Sequence, residues 1–493
     1  MQGVTRFRNT VNGQPRGGDQ WIASLNPFDG EAWAEIPRGT AADADEAVTA
    51  AHKAFSSGPW PAMTATARGK LLRRFGDLIL RDAEKLAAIE VRDNGKLYAE
   101  MLGQLRYIPE WFHYFGGLAD KIEGSVLPMD KPEMFAFTKP EPLGVVVAIT
   151  PWNSPLLLLA WKLAPALAAG CTVVIKPSEF TSCSTLALME LVAEAGFPPG
   201  VVNTVTGYGS EIGTALSEHP LVAKLAFTGG DATGTAVYSS AAKGLKHVTL
   251  ELGGKSPNII FDDARLEDAV KGAISGIFAA SGQTCIAGSR LLVQRSVYEE
   301  VAQRVTAFAG TAQMGDPMLD TTQVGPITTV PQRDKVLSYI DMARQEGARC
   351  LLGGGRPSRP DLARGWFVEP TIFADVDNSM RIAREEVFGP VLSIIPFEDE
   401  DHAVEIANDT VYGLAAGVWT GSTRRAFLMA DKLQAGTVWV NTYRAVSFMA
   451  PFGGYKKSGI GRESGQAAIR EYLQTKTVWI NLAEGVSNPF VLR

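Results

Sequence analysis

Long apolar runs alternate with amphipathic stretches from Leu143 onward, and this alternation is the main structural signal in the chain. The runs "GVVVAIT" and "CTVVIKPSE" are typical of strands buried on both faces, whereas "LLLLAWKLAPALAAG" and "STLALMELVAEAG" predict helices. A second series begins near Lys255, with a predicted helix at 267–280, and runs through "GPVLSIIPF" to "AGTVWVNTY". Buried strands separated by helices indicate an α/β fold with doubly wound, parallel sheets.

The amino-terminal third follows a different pattern. It opens with short predicted strands and a hairpin signal at Asn12-Gly13, after which residues 42–57 have helical periodicity. One longer helix is predicted from Ala65 to about Val91, where "RDNG" ends it. The chain closes with "KTVWINLAEGVSNPFVLR", which predicts a strand and a tail. Because an exposed strand edge is a liability unless it is paired, a second subunit is an expected partner there.

Composition and charge narrow the class of protein. A chain of 493 residues exceeds what one core usually organises, so two or more domains are expected. The formal net charge is −6, from 47 basic and 53 acidic residues without a block of either sign. This balance argues against nucleic acid or a membrane surface as a partner. The uncharged stretch from Leu143 to Trp161 contains two prolines and an asparagine, which would break a membrane-spanning helix.

The cysteines and histidines carry no metal or disulfide pattern. Cys171, Cys183, Cys285 and Cys350 form no CxxC pair, and the five histidines contain no HExxH. We therefore expect no metal site and no disulfide framework. The amino terminus also lacks the apolar core of a signal peptide. These features predict a cytoplasmic protein that acts on a small molecule.

Four polar loops follow predicted strands. They are "TPWNSP" (150–155) with Asn153, "KPSE" (176–179) with Lys176 and Glu179, "FTGGDATG" (227–234), and "LELGGKSPN" (250–258) with Glu251. Parallel sheets bind ligands outside the carboxyl ends of their strands, so these loops are expected to form one site. The glycines of "GYGSEIG" (207–213) are spaced one residue too widely for the common dinucleotide fingerprint. A nucleotide site at a helix amino terminus and a plain turn both fit them.

Cys285, in "SGQTCIAGSR", has two interpretations from the residues alone. A free cysteine is usually a small buried hydrophobic residue. A nucleophilic cysteine needs a group that lowers its pKa or takes its proton, and no histidine is near in sequence. Glu251 by itself is more typical of one half of a salt bridge.

Seven motifs in one order carry a resemblance to a known family. They are "PWNSP", "KPSE", "FTGGDATG", "LELGGKSPN", "GQTCIAGSR", "EEVFGPV" and "PFGGYKKSGIGRE". With them the chain resembles the NAD(P)-dependent aldehyde dehydrogenase superfamily over essentially its whole length. The resemblance implies two doubly wound α/β domains plus a small β arm, assembled as a homodimer or homotetramer. The implied segments are a Rossmann-like cofactor domain (1–122 and 143–253), a catalytic domain (254–465) and an oligomerisation arm (123–142 and 466–493).

The resemblance also implies a reaction. Cys285 would attack an aldehyde carbonyl, and Asn153 with the backbone N–H of Cys285 would stabilise the oxyanion. After a hydride leaves for the nicotinamide, Glu251 would act as general base on the water that hydrolyses the thioester. Lys176 and Glu179 resemble the residues that hold the adenosine ribose, and a carboxylate there favours NAD over NADP without excluding NADP. The cofactor-binding residues implied in this way are Ile149, Thr150, Trp152, Lys176, Glu179, Gly209, Gly213, Phe227, Thr228, Gly229, Gly230, Leu252, Glu386 and Phe388.

Two departures from the family pattern bear on the ligands. Gly230 stands where many relatives have a serine, which leaves the pyrophosphate contacts open. Ser154 stands where many have an aromatic residue, and Trp161 would then either form the aldehyde channel wall or pack in the core. Arg444, in "NTYRAVSFMAPFGG", would either pair with a substrate carboxylate or be an ordinary surface arginine, with Phe448 supplying apolar contact. The expected substrate is a semialdehyde or another polar or acidic aldehyde.

Three other functions remain open. A CoA-acylating aldehyde dehydrogenase would share the nucleophile, but such relatives generally lack a base such as Glu251. A cofactor-independent cysteine esterase or hydrolase would have no use for the cofactor loops. A crystallin-like or scaffold protein would be free to lose Cys285, Asn153 or Glu251, and this chain keeps all three.

Overall fold

The structure is a computed structural model that describes residues 4–486 and 488–490. Residues 1–3 of the predicted cofactor segment, and residues 487 and 491–493 of the predicted arm, lie outside the described residues. In the described part, no helix combines the length and the hydropathy needed to cross a membrane.

The strands and helices follow in chain order. The strands are β1 (Thr5–Arg6), β2 (Asn9–Val11), β3 (Gln14–Arg16), β4 (Trp21–Leu25), β5 (Ala32–Pro37), β6 (Val126–Leu127), β7 (Met134–Pro142), β8 (Val145–Ile149), β9 (Thr172–Lys176), β10 (Val202–Thr204), β11 (Val222–Thr228), β12 (His247–Glu251), β13 (Pro257–Ile260), β14 (Arg290–Gln294), β15 (Arg349–Leu352), β16 (Thr371–Ala374), β17 (Val391–Phe397), β18 (Ala415–Trp419), β19 (Thr437–Val440), β20 (Gly459–Ile460) and β21 (Leu473–Asn481). The α-helices are α1 (Ala41–Ser56), α2 (Pro59–Ala62), α3 (Ala65–Arg81), α4 (Ala83–Asn94), α5 (Tyr98–Tyr107), α6 (Pro109–Leu118), α7 (Pro155–Ala169), α8 (Cys183–Ala195), α9 (Gly209–Ser217), α10 (Asp231–Lys243), α11 (Leu266–Phe278), α12 (Tyr298–Ala309), α13 (Val330–Gln345), α14 (Arg381–Arg384), α15 (Glu400–Asn408) and α16 (Thr423–Lys432). Short 3₁₀ turns occupy Ala119–Lys121, Ala279–Gly282, Arg295–Val297, Pro360–Leu362, Lys456–Ser458 and Gln466–Tyr472.

The first large sheet has the order β10-β9-β8-β11-β12-β20. Its strands are parallel except for the antiparallel pair of β12 and β20. Strands β8 and β9 are buried along their whole length, which confirms the interpretation of their apolar runs. Helix α7 follows β8, beginning with Pro155 and ending at the left-handed Gly170 (φ 98°). The uncharged stretch from Leu143 to Trp161, whose hydropathy is like that of a membrane-spanning segment, thus forms a buried strand, a turn and the start of a helix.

The second large sheet has the order β15-β16-β17-β14-β13-β18-β19 and is parallel except between β15 and β16. The α/β fold predicted from the alternating pattern is confirmed in both sheets. Three small sheets complete the fold. They are β1-β5-β4, the hairpin β2-β3 around the left-handed Asn12-Gly13 pair, and the antiparallel sheet β21-β7-β6.

Three details differ from the sequence analysis. The single helix expected at 65–91 is two helices, because Asp82 (φ −100°, ψ 14°) leaves helical geometry while its carboxylate pairs with Arg81. The helix expected at 267–280 ends at Phe278, where the chain turns toward β14. Gly459–Ile460 lies in the segment assigned to the catalytic domain, yet it pairs with Leu250–Glu251 of the first sheet.

The carboxyl ends of four strands in the first sheet position the polar loops. β8, β9, β11 and β12 end at Ile149, Lys176, Thr228 and Glu251, in neighbouring positions of one sheet. The four loops therefore emerge along the same edge, as expected for parallel strands. The division of the chain into cofactor, catalytic and arm segments stays a prediction.

Candidate active site

Asn153 lies in the turn between β8 and α7, and two hydrogen bonds hold this turn in place. Its Nδ2 donates a hydrogen bond to the backbone oxygen of Gln283, at 3.0 Å. Behind the turn, the buried Glu90 accepts a hydrogen bond from the backbone N–H of Leu156, at 2.9 Å. This contact satisfies one of the free N–H groups in the first turn of α7. The amide is thus fixed against the segment that carries Cys285.

A strained turn presents Cys285. Ala280 (φ 55°), Ser281 (φ 51°) and Gly282 (φ 69°) are three consecutive residues in the left-handed region, which costs free energy at alanine and serine. A Cβ on Gly282 would lie 2.0 Å from the backbone oxygen of Gly389, so only glycine fits there. Ser281 Oγ donates to a backbone oxygen 2.8 Å away. Such a conformation persists because its surroundings determine it, as is common at functional sites.

The electrostatic surroundings of Cys285 oppose spontaneous ionisation. Burial raises the pKa of the Cys285 thiol to about 12, and the Glu251 and Glu386 carboxylates add to this effect. Burial also raises the pKa of Cys171 and Cys183, which are packed in the interior away from any cavity described below. Only Cys285 among them is partly accessible. A thiol with a raised pKa requires a neighbouring group to take its proton before it can attack.

Glu251 is the carboxylate that contributes most to the raised pKa of Cys285. It is buried at the end of β12, and neither carboxylate oxygen has a hydrogen-bond partner within the described residues. Burial raises its pKa well above the usual value, and the charge of Glu463 adds to this, whereas Lys162 and Arg462 oppose it. An unpartnered buried carboxyl group calls for a partner such as water or a ligand. Glu251 is thus a carboxyl group whose proton affinity is increased by its surroundings, as a general base requires.

A buried ion pair lies beside Glu251. Lys162 of α7 donates to Thr228 Oγ1 at 2.6 Å and pairs with Glu463, and both side chains of the pair are inaccessible. Sequence analysis missed both residues. Lys162 sits inside an apolar helix and Glu463 inside a glycine-rich loop, so neither motif signals their contact.

The candidate catalytic residues line an inner chamber of about 150 Å³. Its lining residues are Pro151, Trp152, Asn153, Leu158, Thr228, Gly229, Gly230, Glu251, Leu252, Gly253, Cys285, Gln332, Lys335, Glu386 and Phe388. An outer groove of about 370 Å³ shares Trp152 and the 228–230 turn with the chamber. Its lining residues are Ile149, Thr150, Pro151, Trp152, Lys176, Ser178, Glu179, Phe180, Gly209, Gly213, Thr214, Ser217, Phe227, Thr228, Gly229, Gly230, Thr233, Ala236, Val237 and Ser240. Every predicted cofactor residue therefore lines the chamber or the groove.

The groove has the features of a nucleotide site. A Cβ added to Gly209, Gly213 or Gly230 would meet nothing within 4 Å, so these glycines border open space. Gly230 begins α10 without a side-chain cap, which leaves N–H groups of the first turn for an anionic ligand. Lys176 and Glu179 line the same groove, with Lys176 Nζ 3.5 Å from Glu179 Oε2. The groove thus offers a helix amino terminus and a carboxylate, a set that fits a dinucleotide.

Glu386 and Phe388 close the chamber from the second sheet's side. Glu386 Oε1 accepts a hydrogen bond from the backbone N–H of Gly254, at 3.0 Å. Burial raises its pKa to about 7. Phe388 has a left-handed backbone (φ 59°), and its ring meets Trp152 edge-on, 5.2 Å between centroids. Neither residue serves only as core packing, because both line the chamber.

An entrance cavity of about 660 Å³ lies on the other side of Cys285. Its lining residues are Lys96, Leu97, Glu100, Gly103, Gln104, Tyr107, Asn153, Ser154, Leu157, Leu158, Trp161, Ser275, Ala279, Ala280, Thr284, Cys285, Ile286, Gln323, Tyr443, Arg444, Val446 and Phe452. Three of the four predicted substrate residues, Ser154, Trp161 and Arg444, belong to this lining. Cys285 and Asn153 line both the entrance cavity and the chamber, and thus lie where the two meet.

Phe448 is the exception among the predicted substrate residues. It does not line the entrance cavity; its ring packs against Tyr107, Trp111 and Tyr114, with centroids 5.3 to 6.1 Å apart. Trp161 serves both roles weighed from the sequence, since it lines the cavity and also stacks on Trp111 at 5.8 Å. Within the described residues, no three His, Cys, Asp or Glu side chains are grouped closely enough to hold a metal ion.

Comparisons with known proteins agree with this geometry. The model of the aldehyde dehydrogenase family matches residues 14–478. A (Z)-2-((N-methylformamido)methylene)-5-hydroxybutyrolactone dehydrogenase of Acinetobacter baylyi is 45% identical over 99% of this chain and 100% of its own length. Retinaldehyde dehydrogenase 3 of Rattus norvegicus is 46% identical over 97% and 93%, respectively. The crystal structure of a Staphylococcus aureus betaine aldehyde dehydrogenase in complex with NAD⁺ superposes with a TM-score of 0.97 at 42% identity, covering 98% of this chain and 96% of that one. The chain therefore belongs to the aldehyde dehydrogenase family and is an oxidoreductase that acts on an aldehyde.

Proposed function

We propose that this protein oxidises a polar or acidic aldehyde to the carboxylic acid, with NAD as hydride acceptor and Cys285 as nucleophile. The observation that carries the proposal is that Cys285, Asn153 and Glu251 line one chamber between a dinucleotide-sized groove and an open entrance cavity. The aldehyde enters from the cavity and the cofactor occupies the groove, so both reach Cys285 from opposite sides.

The first step is the attack of Cys285 Sγ on the aldehyde carbon. Because the thiol pKa is raised to about 12, its proton must be taken as the S–C bond forms, and Glu251 accepts it. The carbonyl oxygen becomes an oxyanion that receives hydrogen bonds from Asn153 Nδ2 and the backbone N–H of Cys285. Asn153 Nδ2 already lies 3.0 Å from the backbone oxygen of Gln283, so the donor is in place before the charge develops.

The groove residues fit NAD. Bound NAD accepts the hydride that leaves the thiohemiacetal carbon, which turns the intermediate into a thioester on Cys285. Glu179 holds the adenosine ribose hydroxyls, and its charge disfavours a 2′-phosphate, which makes NAD the preferred cofactor over NADP. The Gly230 turn and the start of α10 hold the pyrophosphate. The NAD⁺ complex of the S. aureus relative supports this assignment.

Hydrolysis completes the cycle. Glu251, having released its first proton, takes a proton from a water molecule as the water oxygen bonds to the thioester carbon. The C–S bond then breaks, the acid leaves, and Cys285 regains a proton. Glu251 is what distinguishes this route from transfer of the acyl group to CoA.

Arg444 is the reason for expecting a polar or acidic substrate. Its side chain lines the entrance cavity, where Nη1 donates to the backbone oxygen of Ser275 at 3.3 Å. A guanidinium in this position can pair with a carboxylate or another polar group of the aldehyde. Arg444→Met should raise KM for acidic aldehydes and spare neutral ones; equal effects on both would contradict this role.

The decisive experiment follows NADH absorbance over a panel of aliphatic, aromatic and carboxylate-bearing aldehydes, with NAD or NADP, in wild type and Cys285→Ala. Turnover that requires NAD and disappears in Cys285→Ala supports the proposal. Turnover that requires added CoA would identify the acylating alternative instead. Ester cleavage without any nicotinamide requirement would identify a cysteine hydrolase.

The same resemblance supports assembly as a homodimer or homotetramer through the arm. Strand β21 pairs with β7 from Leu473–Pro142 to Asn481–Met134, and β7 pairs with β6 on its other side. Trp479 and Ile480 on β21 are exposed. An edge strand with exposed apolar side chains is suited to burial against a second copy of the chain.

A further inference from the structure

Beside Arg444, the entrance cavity contains two charged side chains, Lys96 and Glu100, that the proposed reaction does not use. Lys96 follows the left-handed Gly95 that ends α4, and its Nζ donates to Ser154 Oγ at 3.0 Å. Glu100 Oε1 lies 4.0 Å from Lys96 Nζ and 3.5 Å from Arg444 Nη2. Two cations thus flank one carboxylate oxygen at the wall of the cavity.

The described residues do not use the full hydrogen-bonding capacity of Lys96 or of Glu100. The Lys96 side chain is only 2% exposed, and among the described residues its hydrogen-bond acceptor is the neutral Ser154 hydroxyl, although an ammonium carries three donors. Glu100 Oε1 is buried and accepts no hydrogen bond from the described residues. Buried charged groups normally form charge-assisted hydrogen bonds, so donors remain available here for a ligand.

The balance of charge indicates which ligand. The charged side chains that line the cavity are Lys96 and Arg444, against the single carboxylate of Glu100. The wall therefore carries one positive charge in excess, beside a cavity that Cys285 also lines. A ligand with one carboxylate neutralises this excess, whereas a cationic ligand adds to it.

The position of Ser154 indicates how large the ligand is. Ser154 directly follows Asn153, the oxyanion donor, and consecutive Cα atoms lie about 3.8 Å apart. Lys96 Nζ donates to Ser154 Oγ, and Lys96, Asn153, Ser154 and Cys285 all line the entrance cavity. The cation and the oxyanion donor are therefore linked through neighbouring residues of one cavity, which favours a ligand with a short carbon chain.

We propose that Lys96 determines specificity in the proposed reaction: with Arg444 and Ser154 it binds the carboxylate of a short-chain aldehyde acid, and Glu100 competes with that carboxylate for the two cations. The inference rests on the proposed function and extends it to a second cation. Lys96 and Glu100 then have opposite effects on the affinity for carboxylates.

Two variants test this pair of roles, and a third serves as the control. Lys96→Met should lower the ratio of kcat/KM for 4-oxobutanoate to that for butanal by about tenfold to a hundredfold, the usual range for losing a charge-assisted hydrogen bond. Glu100→Gln, which keeps the shape of the side chain, should raise the same ratio about threefold to tenfold. Lys85→Met removes an exposed lysine of α4 that pairs with Glu190 on the surface, and should leave the ratio at the wild-type value.

Calorimetric titration of each variant with succinate measures carboxylate binding without catalysis. Weaker binding in Lys96→Met together with tighter binding in Glu100→Gln supports the proposal, and a merely structural lysine would not produce the opposite sign. Ratios in both variants within twofold of Lys85→Met, or a wild-type preference for 4-aminobutanal, would overturn it. If Lys96→Met does not fold, the sign of the Glu100→Gln effect decides.

The two proposals fail in distinguishable ways. Succinate binding that depends on Lys96, with no aldehyde turned over, overturns the proposed reaction and leaves the carboxylate site standing. Turnover of butanal with NAD, with no succinate binding and no preference for 4-oxobutanoate, overturns the carboxylate site and leaves the reaction standing.

Discussion

Replacing Lys162 with methionine tests how the buried ion pair supports Glu251. Lys162 is fully buried, donates to Thr228 Oγ1 at 2.6 Å and pairs with Glu463, which is 3% exposed. Methionine keeps the apolar length of the side chain and removes only the ammonium. Glu463 is then left as a buried carboxylate beside Glu251, without its neutralising partner.

The magnitude follows from this burial. Breaking a buried pair by removing one member costs about 3–5 kcal/mol, since the remaining charge is uncompensated. For a domain of about 200 residues, this loss lowers the melting temperature by about 10 °C. Lys162 also lowers the pKa of Glu251, so its loss raises that pKa further. A base with a raised pKa is deprotonated only at higher pH, and the alkaline rise of kcat should therefore move to higher pH.

Scanning calorimetry at one fixed scan rate and protein concentration measures the stability of wild type, Lys162→Met, Glu463→Gln and the double variant. The double variant should melt above Lys162→Met, because removing the charge of Glu463 removes the uncompensated carboxylate. A Lys162→Met protein that melts within about 2 °C of wild type would refute the energetic argument. A rate profile displaced to lower pH would refute the electrostatic one.

Three further predictions test the site and the arm. Glu251→Gln should lower the pKa of the Cys285 thiol, because Glu251 is one of the carboxylates that raise it; the ultraviolet absorbance of the thiolate, measured as the difference from Cys285→Ala, should then appear at lower pH, and a titration displaced to higher pH would contradict this. Glu179→Gln should raise the ratio of kcat/KM with NADP to that with NAD by about tenfold, since one repulsive charge is removed; an unchanged ratio would separate Glu179 from the ribose. Trp479→Asp places a charge on the exposed strand β21 and should dissociate the proposed oligomer, as measured by light scattering, whereas Leu482→Asp, beyond the end of that strand, should have the smaller effect.

Much of the site could be predicted from sequence because it lies at strand ends. The apolar runs of β8, β9, β11 and β12 mark buried parallel strands, and the carboxyl ends of such strands share one edge of the sheet. The sequence therefore predicts that the loops after these strands meet. The structure places all fourteen predicted cofactor residues along the chamber and the groove.

Features that depend on contacts distant in sequence were not predictable in the same way. Asp82 divides a helix whose periodicity continues across it, since apolar spacing does not register one residue that leaves helical geometry. The left-handed residues 280–282 include alanine and serine, which nothing in the local sequence marks for that conformation. Phe448 is an aromatic residue in the loop that is expected to contact the substrate. In the structure its ring packs against three aromatic neighbours, and it does not line the entrance cavity.

The charged residues around the site show why the substrate was the least predictable part. Lys96, Glu100 and Arg444 come from the end of α4, from α5 and from the loop after β19, and their meaning lies only in their juxtaposition. Arg444 alone is compatible with an ordinary surface arginine, and Lys96 alone with a turn lysine after Gly95. Together they lie within 4.0 Å of one carboxylate oxygen, and Lys96 also contacts Ser154, the residue after Asn153. The candidate cofactor residues lie largely at the ends of neighbouring strands, whereas the proposed choice of aldehyde depends on one helix and two loops that only the fold brings together.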